Sequence, residues 1–105
     1  MSDYSDLFVS DTVHEREVTL KKGVKRKLFF REVPAVVFRK FQIAERSDDV
    51  DVRAGSLARL ICAGLCEADG SPAMTYEQAC ALKPAASGAL LDIILEMNGQ
   101  DAGNE

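Results

Sequence analysis

With 105 residues the chain has room for one hydrophobic core and not for two. Apolar residues make up 47% of it and charged residues 29%, ordinary for a globular protein, and no apolar run approaches the ~20 residues that span a bilayer. The net charge of −4 hides a strong polarity. Residues 1–15 carry four acids and no Lys or Arg, residues 16–46 carry ten bases against three acids, and residues 47–105 carry ten acids against three bases. Such a chain can pair its own halves or offer each face to a different partner.

Residues 1–14 show no sustained period and read as an N-terminal arm, with Leu7, Phe8 and Val9 as its apolar cluster. An exposed arm bearing such a cluster is equipped to dock, either on its own fold or on a neighbour. Its acidic start lacks the basic segment and apolar stretch of a secretory signal, so a cytoplasmic location is expected. From Glu15 the apolar period becomes 2. Val18 and Leu20 alternate with charged and polar residues, then Val24, Leu28 and Phe30 do the same beyond Lys21-Lys22-Gly23. Two such runs predict a β-hairpin over residues 15–33, the glycine supplying a positive φ. Val18, Leu20, Leu28 and Phe30 then face the core, and Phe29 points the other way between Lys27 and Arg31. A lone hairpin is marginal in water, so this one must lie on helices or extend a partner's sheet.

Pro34 opens a helix expected over 34–46, carrying Val37, Phe38, Phe41, Ile43 and Ala44. Asp49 or Asp51 can cap a second helix, expected over 53–67. There Ala54, Leu57, Ala58, Ile61 and Leu65 form one apolar stripe, Cys62 and Cys66 lie beside it, and Gly64 allows another backbone to come close. A turn at Asp69-Gly70-Ser71-Pro72 ends it. Thr75 and Gln78 have capping-box spacing and start a short helix over 75–82, which Lys83-Pro84 breaks. The last helix, about 85–98, buries Ala86, Ala89, Leu90, Ile93, Ile94 and Met97. Leu91 and Leu95 sit on a flank with no evident intramolecular need. Asn98-Gly99 stops it and residues 100–105 form a polar tail. The fold class is α+β: an N-terminal β-hairpin packed on a small bundle of three to four helices, one domain over 15–99.

Catalysis requires converging acid, base or nucleophile groups. The single histidine, His14, sits beside the arm, and no phosphate-binding glycine loop, nucleophile elbow or two-histidine metal motif is present, so no enzyme activity, cofactor or metal is expected. Cys62, Cys66 and Cys80 are an odd number of thiols at helical spacing, which suits small buried hydrophobes rather than zinc ligands or disulfides. Seven of the thirteen bases lie between Arg16 and Arg31, interleaved with Phe29 and Phe30, a stripe that could follow phosphates. Against nucleic acid stand a sequence pI near 5.0 and the absence of helix-turn-helix, KH or RNA-recognition signatures.

Four short patterns share an order: Arg31-Glu32-Val33-Pro34, Glu67-x-Asp69-Gly70-x-Pro72, Thr75-x-Glu77-Gln78-Ala79, and an apolar helix ending in Glu96-x-Asn98-Gly99. From about Val18 to Gly99 this layout resembles the tail assembly chaperones of long-tailed bacteriophages. The very basic hairpin and the cysteine-rich middle helix depart from the commoner pattern of that family. The resemblance implies a non-enzymatic protein of the host cytoplasm, absent from the mature virion, that holds the helical tape-measure protein until tail-tube subunits polymerise around it. It also implies a longer product, made by frameshifting near the polar tail, that recruits the major tail protein. Leu91, Leu95, Phe29, Leu7 and Phe8 are then the expected contacts with the tape-measure protein or with a second copy of the chain. The competing expectation is a small adaptor or regulator of a mobile element, associated with nucleic acid through the basic hairpin.

Overall fold

The computed structural model describes residues 4–20 and 23–99. Strand β1, Val13–Thr19, and strand β2, Lys25–Arg31, pair antiparallel with Val18 opposite Arg26, Arg16 opposite Leu28 and His14 opposite Phe30. Gly23 has φ +77° at the turn, and the Leu20 N–H donates to the Val24 carbonyl at 2.8 Å, closing the hairpin. Lys21 and Lys22 lie outside the described residues. The alternation sends Val18, 2% exposed, and Phe30, 0% exposed, into the core, with Leu20 and Leu28 half-buried against it. β1 begins at Val13, two residues inside the segment expected to be the arm. Before it, Ser5–Leu7 make one 3₁₀ turn.

The sheet has three strands rather than two. Leu65 and Cys66, expected at the end of a helix, form β3 and pair with Phe30 and Phe29, giving the order β1-β2-β3. The second helix stops at Gly64, and Leu65 turns to φ −89°, ψ 133°. Extended there, these two residues satisfy part of β2's second edge, which a hairpin alone would leave open. Cys66 in turn bridges to Pro72.

Helix α1 spans Ala35–Glu45, with Pro34 as an extended N-cap residue just outside it. Helix α2 spans Val50–Gly64 and starts three residues earlier than expected, because the Asp49 carboxylate accepts from the N–H groups of Asp51 (2.9 Å) and Val52 (3.4 Å). Helix α3, Tyr76–Cys80, opens on the expected capping box, with Thr75 and Gln78 bonded reciprocally at 2.9 and 3.1 Å. Helix α4, Pro84–Met97, has proline in its first turn and ends at Asn98, followed by Gly99 at φ +73°. The polar tail, residues 100–105, lies outside the described residues.

α2 is the hub: it touches α1, α3, α4, β2 and β3. Leu60 and Ile61 on it meet Phe30, Leu90 and Ile94 in one core, each worth roughly 1.5–3 kcal/mol when fully buried. Gly64 admits a side chain rather than a backbone. A Cβ added there would stand 2.9 Å from Ile94 Cγ1, so the glycine is the socket for the most buried residue of α4.

Candidate partner-binding surfaces

The five residues expected to meet a partner do not form one patch. Leu28 and Arg16 share the inner sheet face, and Arg16 Nη1 reaches Glu96 Oε1 of α4 at 3.3 Å, so α4 lies on that side. Phe29 pairs with Glu15 and Cys66 on the opposite face. It is half-buried, in a shallow cleft with Leu65, Ala73 and Met74. The arm residues Leu7 and Phe8 are each 72% exposed.

On α4 only Leu90 and Ile94 are buried. Ile93 and Met97, expected to complete the core face, are half-buried, and so are Leu91 and Leu95. All four pack against the core, so the Leu91–Leu95 flank does have intramolecular contacts, contrary to expectation. The reason lies in α4's neighbours: it rests on α2 and on β1 together, and a helix with two contact directions uses a wider apolar stripe. Asp92 and Glu96 face solvent as expected.

The large apolar side chains that are exposed lie elsewhere. Among the described residues they are Tyr4, Leu7, Phe8 and Val9 on the arm, Val24 at the hairpin turn, Val36 and Ile43 on α1, and Val50 at the start of α2. In the sequence Ile43 stands simply among the apolar residues of the first helix. Its spacing from Val36, seven residues and two turns away, was the available sign that both share a face apart from buried Phe38.

The charge polarity is resolved partly within the chain. Arg16 of the basic segment meets Glu96 of the acidic one, and Lys27 pairs with Glu15 at 3.7 Å. Both are surface pairs, worth about 0–1 kcal/mol. Arg31 is not free for phosphate: its guanidinium donates to the carbonyls of Ala63 (3.1 Å) and Gly70 (2.8 Å), fastening β2 to the end of α2 and the loop beyond. Nothing in the residue pattern marked Arg31 for that role. Lys25 and Arg26 are exposed.

The polar contacts at the chain's turns are structural. Asn98 Oδ1 accepts from the Val33 N–H at 2.8 Å while its Nδ2 donates to the Ile94 carbonyl at 2.7 Å, tying the end of α4 to the link between β2 and α1. Asp69 accepts from the Ser71 hydroxyl (2.6 Å) and N–H (3.0 Å), which holds its carboxyl below the usual carboxylate range. The three cysteines are free, and Cys66 lies in β3, not on a helix face with Cys62. Burial pushes the Cys62 and Cys66 thiols up, away from the reactive thiolate. Among the described residues no group of three or more His, Cys, Asp or Glu is placed to hold a metal ion, and no helix is long and apolar enough to cross a membrane.

Several separate apolar faces with charged rims are thus exposed, and no catalytic or metal-binding cluster stands out among the described residues. The solved structure of the bacteriophage HK97 tail assembly chaperone is similar in fold, with a TM-score of 0.53 over 82% of this chain and 87% of that one, at 20% identity. No curated protein matches. The family model described as "Phage tail assembly chaperone, TAC" matches residues 4–98, nearly the whole sequence. The chain belongs to the phage tail assembly chaperone family.

Proposed function

We propose that this chaperone binds the tape-measure protein and keeps that long helical client soluble until tail-tube subunits polymerise around it. It acts by binding rather than by catalysis, in the host cytoplasm, and leaves before the particle is finished. A longer form, made by frameshifting near the polar tail, brings in the major tail protein. The observation that carries this reading is the family match over residues 4–98. The distribution of apolar surface supports it, since a helical client is held by laying its apolar stripe against exposed hydrophobic side chains framed by charge. The contacts we assign are Leu91 and Leu95 on the half-buried flank of α4, Phe29 on the outer sheet face, and Leu7 and Phe8 on the arm, these last toward the client or a second copy.

The test is co-expression with the tape-measure protein of the same phage. Wild-type chaperone should keep the client in the soluble fraction. Replacing Leu91 and Leu95 with Gln should send the client to the pellet while the chaperone still unfolds cooperatively at a modestly lower midpoint. Leu90→Ala, a core change typically costing about 2–5 kcal/mol, calibrates what simple destabilisation does. A folded double variant that still holds its client moves the contact off α4. A wild type that fails to solubilise the client rejects the tape-measure reading itself.

A further inference from the structure

Helix α1 carries an uncovered stripe. Val36 and Ile43, 60% and 65% exposed, stand two turns apart with exposed Arg39 and Lys40 between them. Beside the stripe lies a shallow groove between α1 and α2, with Val37, Phe41 and Leu60 as its floor and a volume of about 90 Å³. A cavity of ~150 Å³ admits benzene, so this one has room for a single aliphatic side chain. The charged residues on its walls are Lys40 and Arg59, both exposed. Among the described residues Arg39, Lys40 and Arg59 take part in no ion pair, and the Arg59 guanidinium instead lies 4.9 Å from the centre of the Tyr76 ring. Glu45, the only acid of α1, is engaged by the Ser56 hydroxyl. The face is therefore apolar along its middle and cationic at its edges.

A face of this kind selects by charge as well as by shape. Its complement is an apolar stripe with acidic edges. The two-turn spacing of Val36 and Ile43 beside a groove fits a helix, whose anchors recur at i, i+3, i+4 and i+7. We infer that the α1–α2 face holds an acidic-edged amphipathic helix of the client. One aliphatic side chain of that helix enters the groove over Val37, Phe41 and Leu60, and its neighbours a turn away on either side cover Val36 and Ile43. Its Asp and Glu side chains meet Arg39, Lys40 and Arg59. The inference rests on the tape-measure reading above and adds to it a rule of selection. A long helical client offers many segments, and this face takes those with acidic flanks and turns away those with basic ones, where like charges would oppose each other. The α4 flank differs: its exposed charges are Asp92 and Glu96, so it has no attraction for acidic edges.

The test is a scan of overlapping peptides covering the tape-measure protein of the same phage, each titrated with the full-length chaperone by fluorescence anisotropy. The peptides that bind should be amphipathic with acidic edges, and their binding should weaken as salt rises. Lys40 and Arg59 are exposed, so Lys40→Glu with Arg59→Glu should keep the wild-type melting midpoint while the dissociation constant for those peptides rises about tenfold or more. Replacing the acids of the best-binding peptide with Lys should abolish binding to wild type and restore it with the double variant. Binders with basic or uncharged edges, undiminished binding by the double variant, or a charge swap that restores nothing overturns the inference. So does a DNA duplex that displaces the peptides at physiological salt, which would make the face a phosphate site. A wild type that keeps the whole client soluble yet binds no acidic peptide rejects this inference alone. One that does neither rejects the tape-measure reading with it.

Discussion

Helices α1 and α4 make the most instructive contrast in the molecule. α4 is the more apolar of the two, with Leu90, Leu91, Ile93, Ile94, Leu95 and Met97 in its last two turns, yet none of these is exposed. α1 is shorter and carries Arg39 and Lys40, and it leaves Val36 and Ile43 largely in solvent. The difference is set by neighbours. α4 packs on both α2 and β1, whereas α1 rests mainly on α2. The width of an apolar stripe therefore reports how many elements a helix touches. Half-buried Leu91 and Leu95 offer a partner only their outer edges, whereas on a helix with a single neighbour whole apolar side chains stand exposed among charges.

The widest separation between the two helices should appear on truncation. Ile94→Ala removes a side chain that is 1% exposed and seated against Gly64, and should cost about 2–5 kcal/mol in urea unfolding. Ile43→Ala on α1 should change stability by no more than about 0.5 kcal/mol. Equal losses at both positions would mean that α1 is packed as deeply as α4 and would dissolve the contrast. A smaller effect comes from filling the socket. In Gly64→Ala the new methyl meets Ile94 Cγ1 at 2.9 Å and Cδ1 at 3.0 Å, and a branched side chain so enclosed has little room to retreat. Overpacking of this kind costs about 1–3 kcal/mol, and a neutral or stabilising result would show that α4 is not locked on α2 there.

Much of this architecture was legible in the chain because local chemistry decides it. Period 2 and a glycine at the turn specify the hairpin, the Thr75–Gln78 pair specifies one helix start, Asp49 or Asp51 marks the beginning of another, and Asn98-Gly99 specifies a stop. The start of α2, expected at residue 53, was misread against a local cap at Asp49, but the larger misreadings depended on contacts distant in sequence. The Leu65–Cys66 strand continues an apolar helical stripe without a break, and only the open edge of β2, some 35 residues earlier, makes it extended. Arg31 was read as one base of the basic stripe and Asn98 as part of a helix stop, and neither reading showed their further partners, backbone groups brought near by the fold: Ala63 and Gly70 for one, Val33 for the other. The same holds for the binding surfaces. Residue types show that α4 and α1 are amphipathic, but which of them keeps exposed apolar area depends on what each packs against. The family resemblance was legible because its motifs are those local turns and caps.

The finest test of the contrast lies in how α1 is held. Its polar tie to α2 is Ser56, 2% exposed, whose hydroxyl lies within hydrogen-bond reach of two acceptors, Glu45 Oε2 at the end of α1 and the Arg53 carbonyl at 2.9 Å. A helical serine that could satisfy itself on its own backbone is instead aimed at a neighbouring helix as well. Ser56→Ala should cost about 0.5–1.5 kcal/mol, the net worth of one intramolecular hydrogen bond, and below either change at the α2–α4 contact. The loss should be local. Hydrogen exchange should quicken in the amides of α1, with those of α4 nearly unchanged, because α4 is held by apolar burial on two sides and has no part in this bond. A double-mutant cycle with Glu45→Gln decides whether the tie joins the helices: a coupling of at least about 0.5 kcal/mol places the bond between them, and additive effects place the hydroxyl on Arg53 alone. In the additive case α1 is held by Phe38, Val37 and Phe41 without polar support, and the difference between the two helices is greater than the packing alone indicates.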